Sequence, residues 1–434
     1  MARLGANYWR LFTASVISNL GDGIAGIAYP WLASLVTRDP VLLSLTVVAS
    51  RIPWLLFTLP AGVMTDRVDR RKLIAWMDVF RFVLTGGVAA AVAIGASSLP
   101  AVDTDPFVPP ANQGWWLTLI IGAAFLFGIA EVFRDNAAQT LMPAVVDDTD
   151  QLEAANGRLW GAEAAANSFI GPPLGGLLLG LALALPFFVD AGTFLLSALL
   201  IFSLKGSFKA KHEGVPPERE PFVTEIKAGV RWLFSHHLLR DLGIVLGVMN
   251  AMLQVSFATA VFFVQEVLAL DAAAFGVLMT GGAAGAVLGS ILASRVSEGL
   301  GSGTALLVVL AGSAVTLAVI GLSSSWPLVW AMFAINSFLA VVWNVITVAL
   351  RQTIIPDQLL GRVNSVYRFF AWGMMPIGSL LGGVIVAVAE PGLGRIPALR
   401  IPFFVAGGVF AILFVIGIRR FSTERIEAAR ATAP

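Results

Sequence analysis

The chain has 434 residues, of which 57% are hydrophobic and 13% are charged, and its mean hydropathy is +0.84. Soluble domains carry about 25% charged residues, so this chain has too little charge to cover a surface that faces water. A formal net charge of +1 gives no sign of a nucleic-acid partner, and none is expected. The absence of cysteine excludes disulfides, thiolate nucleophiles and thiolate metal sites.

Long apolar segments recur along the whole chain, many of about 20 residues or more, which is the length of a helix that crosses a bilayer. They are continuous rather than alternating, which favours helices over a β-barrel. The first has no cleavable-signal pattern and is expected to be retained. The sequence therefore predicts an all-α membrane protein with twelve transmembrane helices, spans 1 to 12, at residues 11–37, 41–64, 73–96, 115–141, 155–181, 184–204, 241–266, 273–293, 303–322, 326–350, 363–388 and 401–419.

The placement of lysine and arginine predicts the orientation of these spans. With the N-terminus inside, the inner segments hold 21 of the 28 basic residues, and the outer segments hold only Arg38, Arg395 and Arg400. The predicted location is the plasma membrane of a bacterium, with both termini in the cytoplasm.

A long inner segment divides the chain into two sets of six spans. Its first part, "KGSFKAKHEGVPPEREPF", is typical of a solvated linker, and its second part has the helical spacing of apolar residues expected of a helix at a membrane surface. The predicted domains are a six-helix bundle at 1–204, the linker with its surface helix at 205–240, and a six-helix bundle with a cytoplasmic tail at 241–434.

The two halves repeat each other. The segment "DQLEAANGRLWGAEAAANSFIGPPLGG" begins at Asp150, and "DQLLGRVNSVYRFFAWGMMPIGSLLGG" begins at Asp357; they align without a gap and share 9 of 27 positions. Parallel repeats of this kind occur in transporters whose substrate site lies between the two bundles.

A charged segment, "GVMTDRVDRRK", separates spans 2 and 3. Its spacing of glycine, aspartate and basic residues resembles the loop signature of the major facilitator superfamily. Asp69 stands where many members have a second glycine, and this variant, with "PWLLFTLPAGVMTDRVDRRK" and "QEVLALDAAAFGVL", resembles the branch of macrolide-efflux and enterobactin-export proteins. The matching residues are Gly62, Asp66, Arg67, Arg70 and Arg71.

The resemblance implies that this motif is a cytoplasmic gate, in which the aspartate helps to hold the two halves together in the outward-open state. We expect Gly62 to permit a close helix contact. Asp66 is expected to accept backbone N–H groups at a helix N-terminus and to pair with an arginine. The alternative is that the basic residues only anchor the loop on the cytoplasmic side.

A second motif lies in span 5 and resembles the glycine-proline signature of antiporters in the superfamily. Small residues four positions apart favour tight helix contact, and a proline bends a helix. Packing alone is the alternative, since span 11 has similar glycines but Ser379 in place of the proline. The residues of the motif are Gly171, Pro172, Gly175 and Gly176.

Ionisable residues at membrane depth are costly and often functional. Asp22 in span 1 and Glu131 in span 4 are the predicted proton-coupling residues. The alternative is that the acids form buried structural pairs: Asp78 with Arg81 and Glu131 with Arg134 at a spacing of three, or Asp22 with Arg51 across helices. The residues predicted to form intramembrane charge pairs are Arg51, Asp78, Arg81, Arg134 and Asp135.

The resemblance also implies that spans 1, 4, 7 and 10 line a substrate cavity. Few polar groups among many aromatic residues suit a bulky amphiphile held mainly by apolar contact. The candidate cavity residues are Asn250, Gln254, Asn336, Trp343 and Asn344, with Arg368 from span 11.

The chain has no phosphate-binding loop for ATP, and it has neither cysteine nor a histidine in a predicted span, so an ATP-driven pump and an enzyme are not expected. No cofactor or metal is expected, and a proton gradient is the expected energy source. The leading interpretation is a monomeric proton antiporter in the lipid bilayer that exports amphiphilic drugs, macrolides or siderophores by alternating access. Two alternatives stay open: a lipid or lysolipid flippase of the same fold, and a transporter-like sensor without flux.

Overall fold

Helices make up nearly all of the computed structural model, which describes residues 4–101, 106–146, 151–206, 208–209 and 222–431. Twelve helices in these ranges are long and apolar enough to cross a membrane, so the predicted fold class is confirmed. In chain order, spans 1 to 12 are Ala6–Val36, Pro40–Arg67, Arg70–Gly95, Gln113–Val145, Leu152–Leu181, Leu185–Phe202, His237–Phe257, Ala272–Leu300, Ser302–Leu322, Trp326–Ile354, Asp357–Leu393 and Arg395–Arg420.

Span 7 departs most from its prediction. It was expected to run to residue 266 but ends at Phe257, and two short helical stretches, Ala260–Phe262 and Phe263–Val267, follow it. Hydropathy cannot detect this break, because the residues on both sides of it are equally apolar. Two further helices, Phe222–Ser235 and Thr423–Ala431, are too short or too polar to be membrane spans.

One compact unit consists of Met1–Glu213 together with Val264–Thr280. Within it, span 2 packs on span 4, and span 6 packs on spans 1 and 3. The segment 264–280 is held by polar contacts with span 1 and the residues after it. Arg38 Nη1 donates to Gln265 Oε1 at 2.8 Å, and Gln265 Nε2 donates to Ser34 Oγ at 2.8 Å.

The other compact unit consists of Gly214–Phe263 and Gly281–Pro434. Its spans pack in the same pairs: span 11 on span 7 as span 5 on span 1, and span 12 on span 9 as span 6 on span 3. The sequence repeat is therefore also a repeat of helix packing. The predicted domain boundaries at 204 and 240 remain a prediction, because most of the stretch between them lies outside the described residues.

Glycine makes the repeated contacts close. A side chain on Gly171 would meet the backbone of Gly23, and one on Gly378, the equivalent position in span 11, would meet the carbonyl of Ala251 in span 7. Helices that lack a Cβ at the contact approach closely and gain dispersion energy along their length. These glycines thus fix the spacing of spans 1 and 5 and of spans 7 and 11.

The helix Phe222–Ser235 occupies part of the predicted surface helix. It packs on the beginning of span 11, where Gly229 faces the backbone of Arg362 and the rings of Phe234 and Phe370 lie 6.1 Å apart. Its place at a membrane surface remains a prediction.

Candidate functional site

Five charged residues from spans 1, 3 and 4 meet inside the first unit. We call this set the charge cluster, and it consists of Asp22, Asp78, Arg81, Arg134 and Asp135. Their helices are long and apolar, and the described side-chain hydrogen-bond partners of the cluster outside its own members are serines, Ser15, Ser18 and Ser197. The cluster is therefore a network of paired charges rather than a set of isolated ones.

Arg81 joins span 3 to span 1. Its guanidinium forms an ion pair with Asp22, and its Nη1 donates to Ser18 Oγ at 3.1 Å. The guanidinium also lies against two neighbouring aromatic rings, 4.4 Å from the centroid of Phe127 and 3.9 Å from that of Phe194. A desolvated cation over ring faces is stabilised by the ring quadrupoles, so Asp22, Ser18 and the two rings together fix the position of this guanidinium.

Asp78 lies at the centre of the cluster and has no exposed surface. Its Oδ1 is 3.6 Å from Arg81 Nη1 and 3.6 Å from Arg134 Nε, and its Oδ2 accepts a hydrogen bond of 2.6 Å from Ser197 Oγ in span 6. Arg134 in turn forms an ion pair of 3.2 Å with Asp135. One carboxylate is thus shared by two arginines, which links spans 3, 4 and 6.

Two members of the charge cluster keep contact with its surroundings. The side chain of Asp22 is 17% exposed and that of Asp135 is 34% exposed, whereas the other three are at most 3% exposed. These two carboxylates are thus the members of the cluster that are not enclosed by the first unit.

The predicted pair of Asp78 and Arg81 is present, but two other pairings were wrong. Arg134 pairs with Asp78 and Asp135 rather than with Glu131, and Asp22 pairs with Arg81 rather than with Arg51. The helical spacing of three allowed a Glu131 pair, but Asp78 on the neighbouring helix offers a more deeply buried carboxylate. Arg51 is exposed and Glu131 is half-buried, and neither forms an ion pair with another described residue.

The gate motif between spans 2 and 3 differs from its prediction at Gly62. A side chain on Gly62 would meet nothing within 4 Å, so the expected close contact is absent there. The backbone of Asp66 belongs to the last turn of span 2, but its side chain lies outside what the structure describes, so its expected contacts with a helix N-terminus and an arginine remain a prediction.

Asp69 caps span 3, a role that the sequence analysis did not assign to it. It is 7% exposed, accepts from the N–H of Lys72 at 3.3 Å, and accepts from the N–H of Phe208 at 3.2 Å. Its position just before a basic first turn is the signal that could have found it. Arg70 and Arg71 donate to the carbonyls of Thr140 at 3.0 Å and Leu204 at 2.7 Å, while Arg67 is exposed.

The glycine-proline motif of span 5 follows a π-helical turn, Ala165–Ile170. Pro172 has no N–H to give to the helix, and a wider turn just before it accommodates that loss. A side chain on Gly175 would meet the backbone of Ile24 in span 1, and one on Gly176 would meet that of Ala272 at the start of span 8. The motif thus forms a narrow surface that contacts span 1 and the start of span 8.

The predicted cavity residues have different environments in the second unit. Asn250 donates to the carbonyl of Ala371 at 2.8 Å, and Asn336 donates to Thr316 Oγ1 at 3.0 Å. Gln254 is half-buried, Asn344 is exposed, and the exposed Arg368 lies with its guanidinium carbon 5.4 Å from the ring centroid of Trp372.

Trp343 does not line a cavity. It has no exposed surface and packs edge-on against Phe421 at 6.3 Å. Its predicted place in a cavity wall was wrong, because a tryptophan on an apolar helix is as well suited to the core of the unit as to a cavity.

Two repeated six-span units with a charge cluster in the first are the features of a transporter of the major facilitator superfamily. A sequence model of the family described as "Transmembrane secretion effector" matches residues 3–392, and the chain belongs to this family. The enterobactin exporter EntS of Shigella boydii serotype 4 is 25% identical to it over 437 residues, covering 95% of this chain and 92% of the relative. EntS of Escherichia coli O1:K1 is 24% identical with the same coverage.

Solved structures share the fold at low identity. A bacterial homologue of the iron transporter ferroportin in an inward-facing state has a TM-score of 0.72 at 15% identity, covering 97% of this chain and 100% of that one. A bacterial homologue of the human lysosomal transporter Spinster has a TM-score of 0.69 at 12% identity, covering 96% and 97%. The likeness to these structures shows the fold, and membership of the family of transmembrane secretion effectors shows that the chain is a multi-pass membrane transporter rather than an enzyme.

Proposed function

We propose that the protein is a secondary active exporter that moves amphiphilic small molecules, with enterobactin-like siderophores first among them, out of a bacterial cell in exchange for protons. The observation that carries this proposal is the buried ion pair of Arg81 with the partly exposed Asp22. The likeness to enterobactin exporters supports the substrate class.

The balance of charges supports proton exchange. An acid without a cationic partner at membrane depth is costly in its ionised form, so an excess of acids there favours groups that bind protons. Spans 1 to 6 hold five acids and three arginines more than six residues from either end of a span: Asp22, Asp78, Glu131, Asp135 and Glu163 against Arg51, Arg81 and Arg134.

The geometry suggests how a proton acts on the cluster. A proton that binds Asp22 removes the negative charge that Arg81 pairs with. Arg81 then keeps only Asp78, 3.6 Å from its Nη1, as a cluster partner. Spans 1 and 3 therefore lose a strong electrostatic contact, and protonation can drive alternating access by loosening span 1 from span 3. Glu131 is the second candidate for proton binding.

Flux of enterobactin in proteoliposomes with an imposed pH gradient tests this proposal. Wild type should accumulate the compound against its concentration gradient, and Asp22→Asn should retain only downhill exchange. The exposed acid Glu153, in the first turn of span 5, gives a matched control, and Glu153→Gln should behave as wild type.

Other outcomes would contradict the proposal. Flux that ignores the pH gradient in wild type removes proton coupling. Binding without flux supports a sensor, and headgroup-dependent movement of lipids in place of enterobactin supports a flippase.

A further inference from the structure

Asp190 in span 6 is a buried acid that the charge cluster does not use. Its side chain has no exposed surface, and neither carboxyl oxygen has a hydrogen-bond partner among the described residues. It also forms no ion pair with a described residue. The helix around it is intact and apolar, so the burial is a feature of the packed unit and not of a loose end.

Two other unsatisfied polar atoms lie in the same region of the unit. The hydroxyl oxygens of Tyr29 in span 1 and Thr85 in span 3 are buried and lie beside each other, neither with a hydrogen-bond partner within 3.5 Å, and Tyr29 also lies near Asp190. The ring of Tyr29 packs edge-on against Phe187, one turn before Asp190 in span 6, with 5.1 Å between centroids. Three unsatisfied groups from three helices thus face one region.

This region adjoins the charge cluster. A side chain on Gly21 would overlap Asp190 Oδ1, so the carboxyl faces the backbone of span 1 at the residue before Asp22. Along span 6, Phe194 stacks on Arg81 and Ser197 bonds Asp78. Asp190 therefore lies on the same face of span 6 as these two residues, one turn before Phe194.

We propose that Asp190 is a second proton site, held as a neutral carboxylic acid, and that water enclosed with Tyr29 and Thr85 connects it to Asp22. An ionised carboxylate without a partner is costly to bury, which favours the neutral acid. Buried polar groups without protein partners are the usual hosts of internal water. In the transfer, Asp190 gives its proton to the water and the water gives another to Asp22, so Asp190 becomes the carboxylate and Asp22 the acid.

The surrounding charges fit this assignment. Span 1 contributes Asp22 and Tyr29 to the surroundings of Asp190. Span 3 contributes Arg81, with Asp78 beyond it. Span 4 contacts span 6 through Phe127, and its Arg134 lies on the far side of Asp78. The part of span 5 that packs on span 6, Gly171–Leu181, has no titratable residue. Arg81 is already paired, so no described cation within 4.0 Å holds Asp190 ionised.

Infrared difference spectroscopy of the purified protein tests the proton site directly. Wild type at neutral pH should show the carbonyl-stretch band of a protonated carboxylic acid, and Asp190→Asn should lose it. Glu390→Gln is the control, because Glu390 is ion-paired with Arg395 at 3.0 Å and should not contribute to the band. Tyr29→Phe and Thr85→Val should shift the band without removing it, which keeps the test valid where Asp190→Asn folds poorly. The same band in wild type and Asp190→Asn would overturn the assignment.

The transfer to Asp22 rests on the proposed function and has its own readout. In proteoliposomes, gradient-driven flux of Asp190→Asn should fall to the rate measured without a gradient, while downhill exchange persists. Wild-type coupling retained in Asp190→Asn would overturn the transfer even where the infrared band is lost. Absence of coupling in wild type would contradict the proposed function, and the infrared result would still decide the protonation of Asp190.

Discussion

Arg81 shows how strongly a single side chain in this unit depends on residues far away in sequence. Its partners come from spans 1, 3, 4 and 6, and only Asp78 lies on its own helix. Removing one partner of a buried ion pair leaves the other charge uncompensated, which costs about 3–5 kcal/mol, more than the pair contributes relative to two neutral groups.

We therefore expect Arg81→Gln to lower the free energy of unfolding by about 3–5 kcal/mol, because Asp22 and Asp78 lose a shared cation. Adding Asp22→Asn should restore part of this loss, since one uncompensated charge is then removed. A double-mutant cycle on thermal unfolding of the detergent-solubilised protein measures the coupling. Additive effects of the two substitutions would show that the pair does not interact.

At the cap of span 3, Asp69→Ala should cost about 1–2 kcal/mol, because the N–H groups of Lys72 and Phe208 lose their acceptor. Asp69→Asn keeps one acceptor oxygen and should cost less. Lys72→Ala, at an exposed neighbouring position, serves as the control in the same thermal assay. Equal unfolding temperatures for Asp69→Ala and Lys72→Ala would argue against the cap.

Among the elements, the contact of spans 1 and 5 depends on having no side chain at its closest points. A helix normally gains about 1 kcal/mol when glycine is replaced by alanine. Gly180→Ala should show this ordinary gain, since nothing lies within 4 Å of the added carbon. Gly171→Ala should instead destabilise the protein, because the added carbon meets the backbone of Gly23, which cannot move aside cheaply. Unfolding temperatures that change in the same direction for both variants would contradict this prediction.

Span 7 begins with a cap that depends on pH. His236 Nδ1 accepts from the N–H of Leu239 at 3.4 Å, and its ring stacks on Trp232 with 5.6 Å between centroids. Burial lowers the pKa of His236 below its ordinary value of 6.5. As the pH falls through about 6.5, the unfolded chain takes up the proton first, so the stabilisation is present above that value and is lost below it.

Thermal unfolding of His236→Ala across pH checks this cap. The variant should be less stable than wild type by about 1 kcal/mol at high pH, with a difference that shrinks as the pH falls. Ser235→Ala, at the exposed preceding position, is the control and should show no such trend, because serine does not titrate in this range. A difference for His236→Ala that stays constant over the whole pH range would contradict a neutral cap.

On the scale of the whole molecule, hydropathy and the repeat of Gly171 and Gly378 were enough to predict twelve spans in two similar sets. Whether a segment forms a membrane helix depends on its local composition, so the sequence alone is enough to predict it. The ion-pair partners of Arg81 and Arg134 were harder to predict. A spacing of three residues along a helix finds Asp78 beside Arg81, but it cannot find Asp22, which lies on another helix. Asp69 was not recognised as a cap because that role depends on where the loop ends and span 3 begins, and the motif does not show this position.

The segment Val264–Thr280 has a consequence for biosynthesis. The first unit includes this stretch, although the ribosome makes it after Gly214–Phe263, which belongs to the other unit. At about 5–20 residues per second, synthesis from Glu213 to Thr280 takes on the order of several seconds, and during this time the surface around Gly176 is still uncovered. We therefore expect the first six spans to be made before this segment can cover them, and a gene split after Leu300, which keeps span 8 whole, to yield a more complete N-terminal fragment than one split after Glu213.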